Sequence, residues 1–201
     1  MKKISILDRI LLLITGLLAA YQIVVIDSNA ALATGAYTVA FGVLLVAGLL
    51  IIIMGFEVLD SPWVVIVSTI IPLSLSLGLV SEYYPAWTTP YLIFVTIGFL
   101  AIVYTRLTKP ETKLATFTLA FVHGIAGLTI FLLPIFLSVN GTTAAGFILV
   151  GIGGALIGVG GLLLAFLKAG KPILPQQTIL TILPGLLLLM TLCFVAGFRF
   201  A

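Results

Sequence analysis

Long apolar runs separated by short polar breaks dominate this chain. An α-helix needs roughly 20 mainly apolar residues to cross about 30 Å of hydrocarbon. Seven stretches qualify: 9–26, 34–56, 63–81, 89–107, 114–138, 143–167 and 176–198. The breaks between them carry charged residues, Gly, Pro or Asn, which commonly mark loops. The pattern predicts an all-α integral membrane protein, a seven-transmembrane-helix bundle that forms a single domain over residues 1–201.

The composition supports a bilayer as the solvent. Only 7% of the 201 residues are charged and 62% are apolar, whereas soluble domains carry about 25% charged residues. The net charge of +3 includes no cluster of Lys and Arg of the kind that nucleic acid requires. The single cysteine, Cys193, excludes an intrachain disulfide and a cysteine-based metal cage. We therefore expect membrane lipids as partners, with no nucleic acid and no metal.

The basic residues predict how the helices are oriented. If the N-terminus is inside, eight of the nine basic residues fall on the inner side: Lys2, Lys3, Arg9, Arg106, Lys109, Lys113, Lys168 and Lys171. Only Arg199 falls outside. Lys and Arg concentrate in cytoplasmic loops, which predicts a cytoplasmic N-terminus, an outer C-terminus and a prokaryotic cytoplasmic membrane. The first stretch also has the layout of a signal peptide, but we expect it to be retained as the first helix.

His123 is the only histidine, and it lies near the middle of the fifth stretch. An ionisable group at membrane depth is a functional candidate by default. Small neighbours at helical spacing, Gly124 and Gly127, leave room for another helix or a flat ligand. A neutral imidazole can ligate haem iron or chlorophyll magnesium, or relay a proton. The alternative, which we favour, is a histidine that bonds a neighbouring helix.

The sixth stretch is rich in glycine. Gly151, Gly154, Gly158 and Gly161 fall on one helical face, and small residues let membrane helices approach closely. We expect this face to pack inside the protein's own bundle. The alternative is a docking face for a partner helix or a flat ligand.

Hydroxyl residues accompany the interior prolines of the third and seventh stretches. Ser68 and Ser76 flank Pro72, and Thr178 and Thr181 precede Pro184. Hydroxyls can bond the backbone groups that proline frees, which is the role we favour. The alternative is that these four residues line a narrow polar path for a small solute.

The remaining acidic residues give weaker signals. Glu57 and Asp60 are three residues apart and could bind a cation, but we expect a solvated loop. Asp27 and Glu82 read as isolated residues at the outer interface.

These observations favour a non-catalytic protein. The chain has no Walker loop, no HExxH motif and no Cys/His cluster. We expect a polytopic subunit of a larger membrane complex, with other membrane protein subunits as partners, that binds lipid, quinone or pigment at its glycine-rich faces. The alternative is a small transporter or channel for a neutral or apolar solute, with His123 on the path.

Overall fold

A computed structural model describes residues 2–108, 112–168 and 172–201. The described residues form seven α-helices: α1 Ile6–Val25, α2 Ala31–Met54, α3 Pro62–Tyr83, α4 Thr88–Thr108, α5 Lys113–Val139, α6 Ile148–Lys168 and α7 Gln176–Gly197. All seven are long and apolar enough to cross a membrane. The prediction of an all-helical protein with seven helices long and apolar enough to span a membrane is confirmed. Lys109 and Lys171 of the predicted inner loops lie outside the described residues.

Capping chemistry sets the ends of the first two helices, which differ slightly from the predicted ends. The hydroxyl of Ser5 accepts a hydrogen bond from the Asp8 backbone N–H at 3.1 Å, and the Asp8 carboxylate accepts one from the Ser5 N–H at 2.8 Å. This capping box starts α1 at Ile6, before the predicted residue 9. Gly55 ends α2 early because its φ of 77° lies in a region that only glycine adopts readily.

The sixth helix begins later than the hydropathy pattern predicts. Its α-helical part starts at Ile148, because Ala144 is extended and Ala145–Phe147 form a 3₁₀ turn. The Ser138 and Thr143 hydroxyls lie 3.2 Å apart and link this turn to the end of α5. Residues 143 and 144, predicted to begin the span, belong instead to the connection between α5 and α6.

Six of the helices form a closed ring. Its order is α1, α2, α3, α5, α6 and α7, and α7 returns to pack against α1. The fourth helix lies outside this ring, against α3 and α5. Within α4, the buried residues are Gly98, Ile102 and Thr105. The amino-terminal end of the bundle is the end where α1 begins, and the distal end is where α1 finishes.

Large apolar side chains fill the middle of the ring. All six ring helices contribute to one buried cluster that includes Tyr37, Phe41, Leu75, Ile130, Val150 and Phe194, with Ala19 from α1. A second cluster closes the amino-terminal end, where Leu12, Phe56 and Leu180 meet. The interior is therefore packed as a core, in agreement with the close packing of protein interiors.

Candidate functional site

The contact between α5 and α6 depends on glycine. A Cβ atom on Gly154 would lie 2.7 Å from the Cγ2 of Ile130 and 2.9 Å from the backbone nitrogen of Phe131. A Cβ atom on Gly151 would lie 2.6 Å from the Phe131 carbonyl oxygen. At these positions the backbone of α5 occupies the space that a side chain would need. The two helices thus make the close approach that small residues permit.

Glycines also permit close packing on the side of α6 that faces α7. A Cβ atom on Gly153 would lie 2.7 Å from the ring of Phe194 in α7, and one on Gly160 would lie 3.0 Å from Leu186. In return, a Cβ atom on Gly197 of α7 would lie 2.6 Å from the backbone nitrogen of Val150. The sixth helix packs closely against both α5 and α7, and glycine leaves the space that this packing requires.

Three of the four glycines on the predicted face of α6 lie close to α5, and Gly158 does not. Gly154 lies against Ile130 and Gly161 lies near His123, so the antiparallel register places Gly158 opposite residues 126–127. Nevertheless, a Cβ atom on Gly158 would have no atom of the described residues within 4 Å, and the same holds for Gly127 and Gly124 of α5. We call these three glycines the glycine notch. By register, Gly127 and Gly158 lie between the contacts at Gly154 and Gly161, and Gly124 lies about one turn from Gly127 at the exposed surface of α5.

His123 lies beside the glycine notch. The Nε2 atom of its ring is 3.4 Å from the position of a Cβ atom on Gly161, so the ring packs against the backbone side of α6. Its Nδ1 atom is buried and has no hydrogen-bond partner among the described residues. A buried polar atom without a partner needs an explanation. The imidazole can bond one polar group of a molecule in the notch, or ligate a single metal-centred cofactor such as haem.

The four hydroxyl residues of the predicted polar path lie far apart. Ser68 and Ser76 belong to α3, whereas Thr178 and Thr181 belong to α7, on the opposite side of the six-helix ring. The side chain of Ser76 is fully buried, while both threonines are exposed. The structure therefore does not gather these residues along one path.

Three of these hydroxyls bond carbonyl oxygens of their own helices. Ser68 donates to Val65 at 3.1 Å and Ser76 donates to Leu73 at 3.0 Å. Thr181 donates to Gln177 at 2.7 Å. Such bonds satisfy the hydroxyl within its own helix.

The described residues hold no group of three or more His, Cys, Asp or Glu side chains that could hold a metal ion. Glu57 and Asp60 are both exposed in the 3₁₀ turn Phe56–Asp60. Asp60 borders a cavity of about 150 Å³ at the amino-terminal end of the bundle, where Gln176 of α7 also lies.

Asp27 and Glu82, expected to be isolated, lie on one cavity. The cavity measures about 190 Å³, opens at the distal end and also contacts Gln22, Tyr37 and Arg199. Glu82 accepts a hydrogen bond from the Tyr37 hydroxyl at 2.7 Å. The expectation failed because the ring brings the ends of α1, α3 and α7 together, although they are distant in sequence. We call this space the distal cavity.

Sequence reasoning also missed Gln22. It sits within an apolar run and is only 3% exposed. The available signal was its amide, because polar side chains inside membrane segments are costly and often functional.

We compared the chain with protein-family models, curated proteins and solved structures. It matches none of them. Functional inference therefore rests on the geometry of the glycine notch and the distal cavity.

Proposed function

We propose that the protein is a non-catalytic subunit of a larger membrane complex, and that its glycine notch holds a lipophilic molecule with one polar group, such as a quinone. The observation that carries this proposal is the combination of open space at Gly124, Gly127 and Gly158 with the unpartnered Nδ1 atom of His123. Two apolar helices offer the surface, and the imidazole offers one hydrogen bond.

The composition of the notch suits a flat or chain-like apolar ligand. Gly124 is exposed at the outer surface of α5, whereas His123 and Gly127 are partly buried between the helices. A ligand could therefore enter from the lipid and place its polar end on the imidazole. Lipophilic pockets of this kind bind through apolar contact and use a few polar groups to fix orientation.

Mass spectrometry of what co-purifies tests this proposal. After extraction in mild detergent, we expect a lipophilic molecule to accompany the wild-type protein and to be depleted in the Gly127→Leu and His123→Phe variants. Leucine fills the notch, and phenylalanine keeps the ring while removing both nitrogens. Gly42→Leu is the control, because no described residue other than its helical neighbours lies within 4 Å of the Cβ position of Gly42 in α2. Equal amounts of every lipophilic species in all four proteins would refute the ligand site.

Native gels test membership of a larger complex. We expect the wild-type protein to migrate with other membrane subunits after mild extraction. A protein that runs alone and stays stable would contradict this part of the proposal. Solute flux in reconstituted vesicles that is abolished by His123→Phe would instead favour the transporter alternative, although the packed interior offers that alternative less support.

We also propose a cytoplasmic N-terminus in a prokaryotic cytoplasmic membrane. Lys2, Lys3 and Arg9 lie at the amino-terminal end of the bundle, and Arg106 and Lys113 lie on the helix ends of the same side. Cytoplasmic loops carry the excess of Lys and Arg. The distal cavity then faces the outer side.

A further inference from the structure

The distal cavity carries a second inference, independent of the glycine notch. The residues that line the distal cavity range from buried to exposed. Gln22 and Tyr37 are buried, at 3% and 1% exposure, and form the floor. Asp27 and Arg199 are exposed and form the rim of the cavity. Glu82 is half-buried and lies between the floor and the rim. The cavity therefore runs from the distal surface into the ring.

The amide of Gln22 is available to a molecule in the distal cavity. Among the described residues, its side chain makes no hydrogen bond, although Gln22 lines the cavity and is almost fully buried. Its amide can therefore bond water or a molecule that occupies the cavity.

Aromatic rings and carboxylates make the cavity suitable for an organic ammonium group. Tyr21, Tyr37 and Phe198 supply aromatic surface, and Asp27 and Glu82 supply negative charge. Aromatic faces attract ammonium ions, and aromatic cages recognise quaternary ammonium ligands in this way. A bare metal ion fits less well, because the described residues form no group of three acidic or other metal-binding side chains.

Arg199 adds a place for an anionic group. Its guanidinium donates to the Tyr21 hydroxyl at 3.1 Å and lies 5.9 Å from the centre of that ring. No described residue bonds its other N–H groups, and a guanidinium binds phosphate or carboxylate through paired N–H donors. The distal cavity is thus lined by both carboxylates and a guanidinium.

We propose that the distal cavity binds a zwitterionic headgroup, with its ammonium at Glu82 and Asp27 and its phosphate or carboxylate at Arg199. The Gln22 amide then bonds the group that reaches the floor. The same chemistry is presented by a phospholipid headgroup and by a free zwitterionic solute, so the experiment separates these two sources.

The soluble arm of the experiment uses O-phosphoethanolamine. Added to the full chain in detergent, it should raise the unfolding temperature with a saturable dose response, whereas glycerol phosphate, which lacks the ammonium, should not. We expect Asp27→Asn to weaken binding about tenfold or more, the usual effect of losing a bond to a charged group. Glu57→Gln is the matched control, because Glu57 is an exposed carboxylate at the other end of the bundle.

The lipid arm uses nanodiscs. Native mass spectrometry should show phosphatidylethanolamine retained from mixed phosphatidylethanolamine and phosphatidylglycerol nanodiscs, and less of it with Asp27→Asn. Saturable binding in the soluble arm supports a free zwitterion as a ligand, and retention in the nanodisc arm alone supports a lipid headgroup.

Gln22→Leu separates a binding role from a packing role. We expect this variant to keep its helical content and to bind O-phosphoethanolamine or phosphatidylethanolamine at least about tenfold more weakly. The proposal is overturned if neither probe binds the wild-type protein, or if Asp27→Asn and Gln22→Leu both bind as the wild type does.

Discussion

Two glycines one helical turn apart should respond in opposite ways to the same substitution. Gly154 and Gly158 both lie on the α6 face that runs toward α5, and both would gain one methyl group on replacement by alanine. A Cβ atom on Gly154 would lie within 3.0 Å of the Ile130 side chain and of the α5 backbone, but one on Gly158 would meet no atom within 4 Å in the part of the chain that the structure describes. We therefore predict that Gly154→Ala destabilises the protein and Gly158→Ala does not.

The expected difference follows from two contributions. Replacing glycine by alanine inside a helix favours the helix by about 1 kcal/mol, and this contribution is the same for both variants. Inserting a methyl group into a filled space costs about 1–3 kcal/mol, and only Gly154→Ala incurs that cost. The free energy of unfolding of Gly154→Ala should thus lie about 1–3 kcal/mol below that of Gly158→Ala. Gly158→Ala itself should equal the wild type or exceed it by up to about 1 kcal/mol.

Unfolding by SDS, titrated into detergent micelles and followed by circular dichroism, measures this difference. Both variants should have the wild-type helical content before unfolding, so that only the midpoint and slope are compared. The reasoning about the α5–α6 register would be refuted if the two variants unfolded at the same SDS fraction, or if Gly158→Ala were the less stable.

Three further predictions concern other parts of the molecule. The free energy of unfolding of Gly78→Ala should lie about 1–3 kcal/mol below that of Gly42→Ala, because the new methyl group at residue 78 would overlap the Tyr37 ring. Thermal unfolding in detergent checks this, and equal midpoints for the two variants would contradict it. Ser5→Ala should lower the stability of α1 by about 0.5–2 kcal/mol, because the helix loses its N-terminal cap. Amide hydrogen exchange should then be faster in the first turn of α1 only, and wild-type protection there would contradict the prediction. A reporter active only outside the cytoplasm should be active when fused after Arg199 and inactive when fused before Lys2; the reverse result would overturn the proposed orientation.

The spans could be predicted from sequence because hydropathy depends on each residue alone. A helix that crosses lipid must satisfy its backbone internally, so its length and composition are visible without knowing its neighbours. The ends were harder to predict. Ser5 and Gly55 shift them by a turn or less through local capping, and the connection before α6 is apolar although it is not α-helical.

The packing of the helices against one another could not be predicted from hydropathy. Gly154 and Gly158 have similar sequence surroundings, yet only one meets α5, because that depends on which residues of α5 lie opposite. Likewise, Asp27, Glu82 and Arg199 are far apart along the chain and share a cavity only because the ring closes. Predicting such sites requires knowing which helices are neighbours.

Closure of the ring by α1 and α7 has a consequence for biogenesis. The two helices are neighbours in the bundle but lie at opposite ends of the order of synthesis, since five other helices are made between them. Until α7 enters the membrane, the side of α1 that it covers faces lipid, and the Gln22 amide lacks the walls formed by Phe198 and Arg199. A chain that ends before α7 therefore leaves this polar side chain without two of the residues that enclose it in the completed bundle.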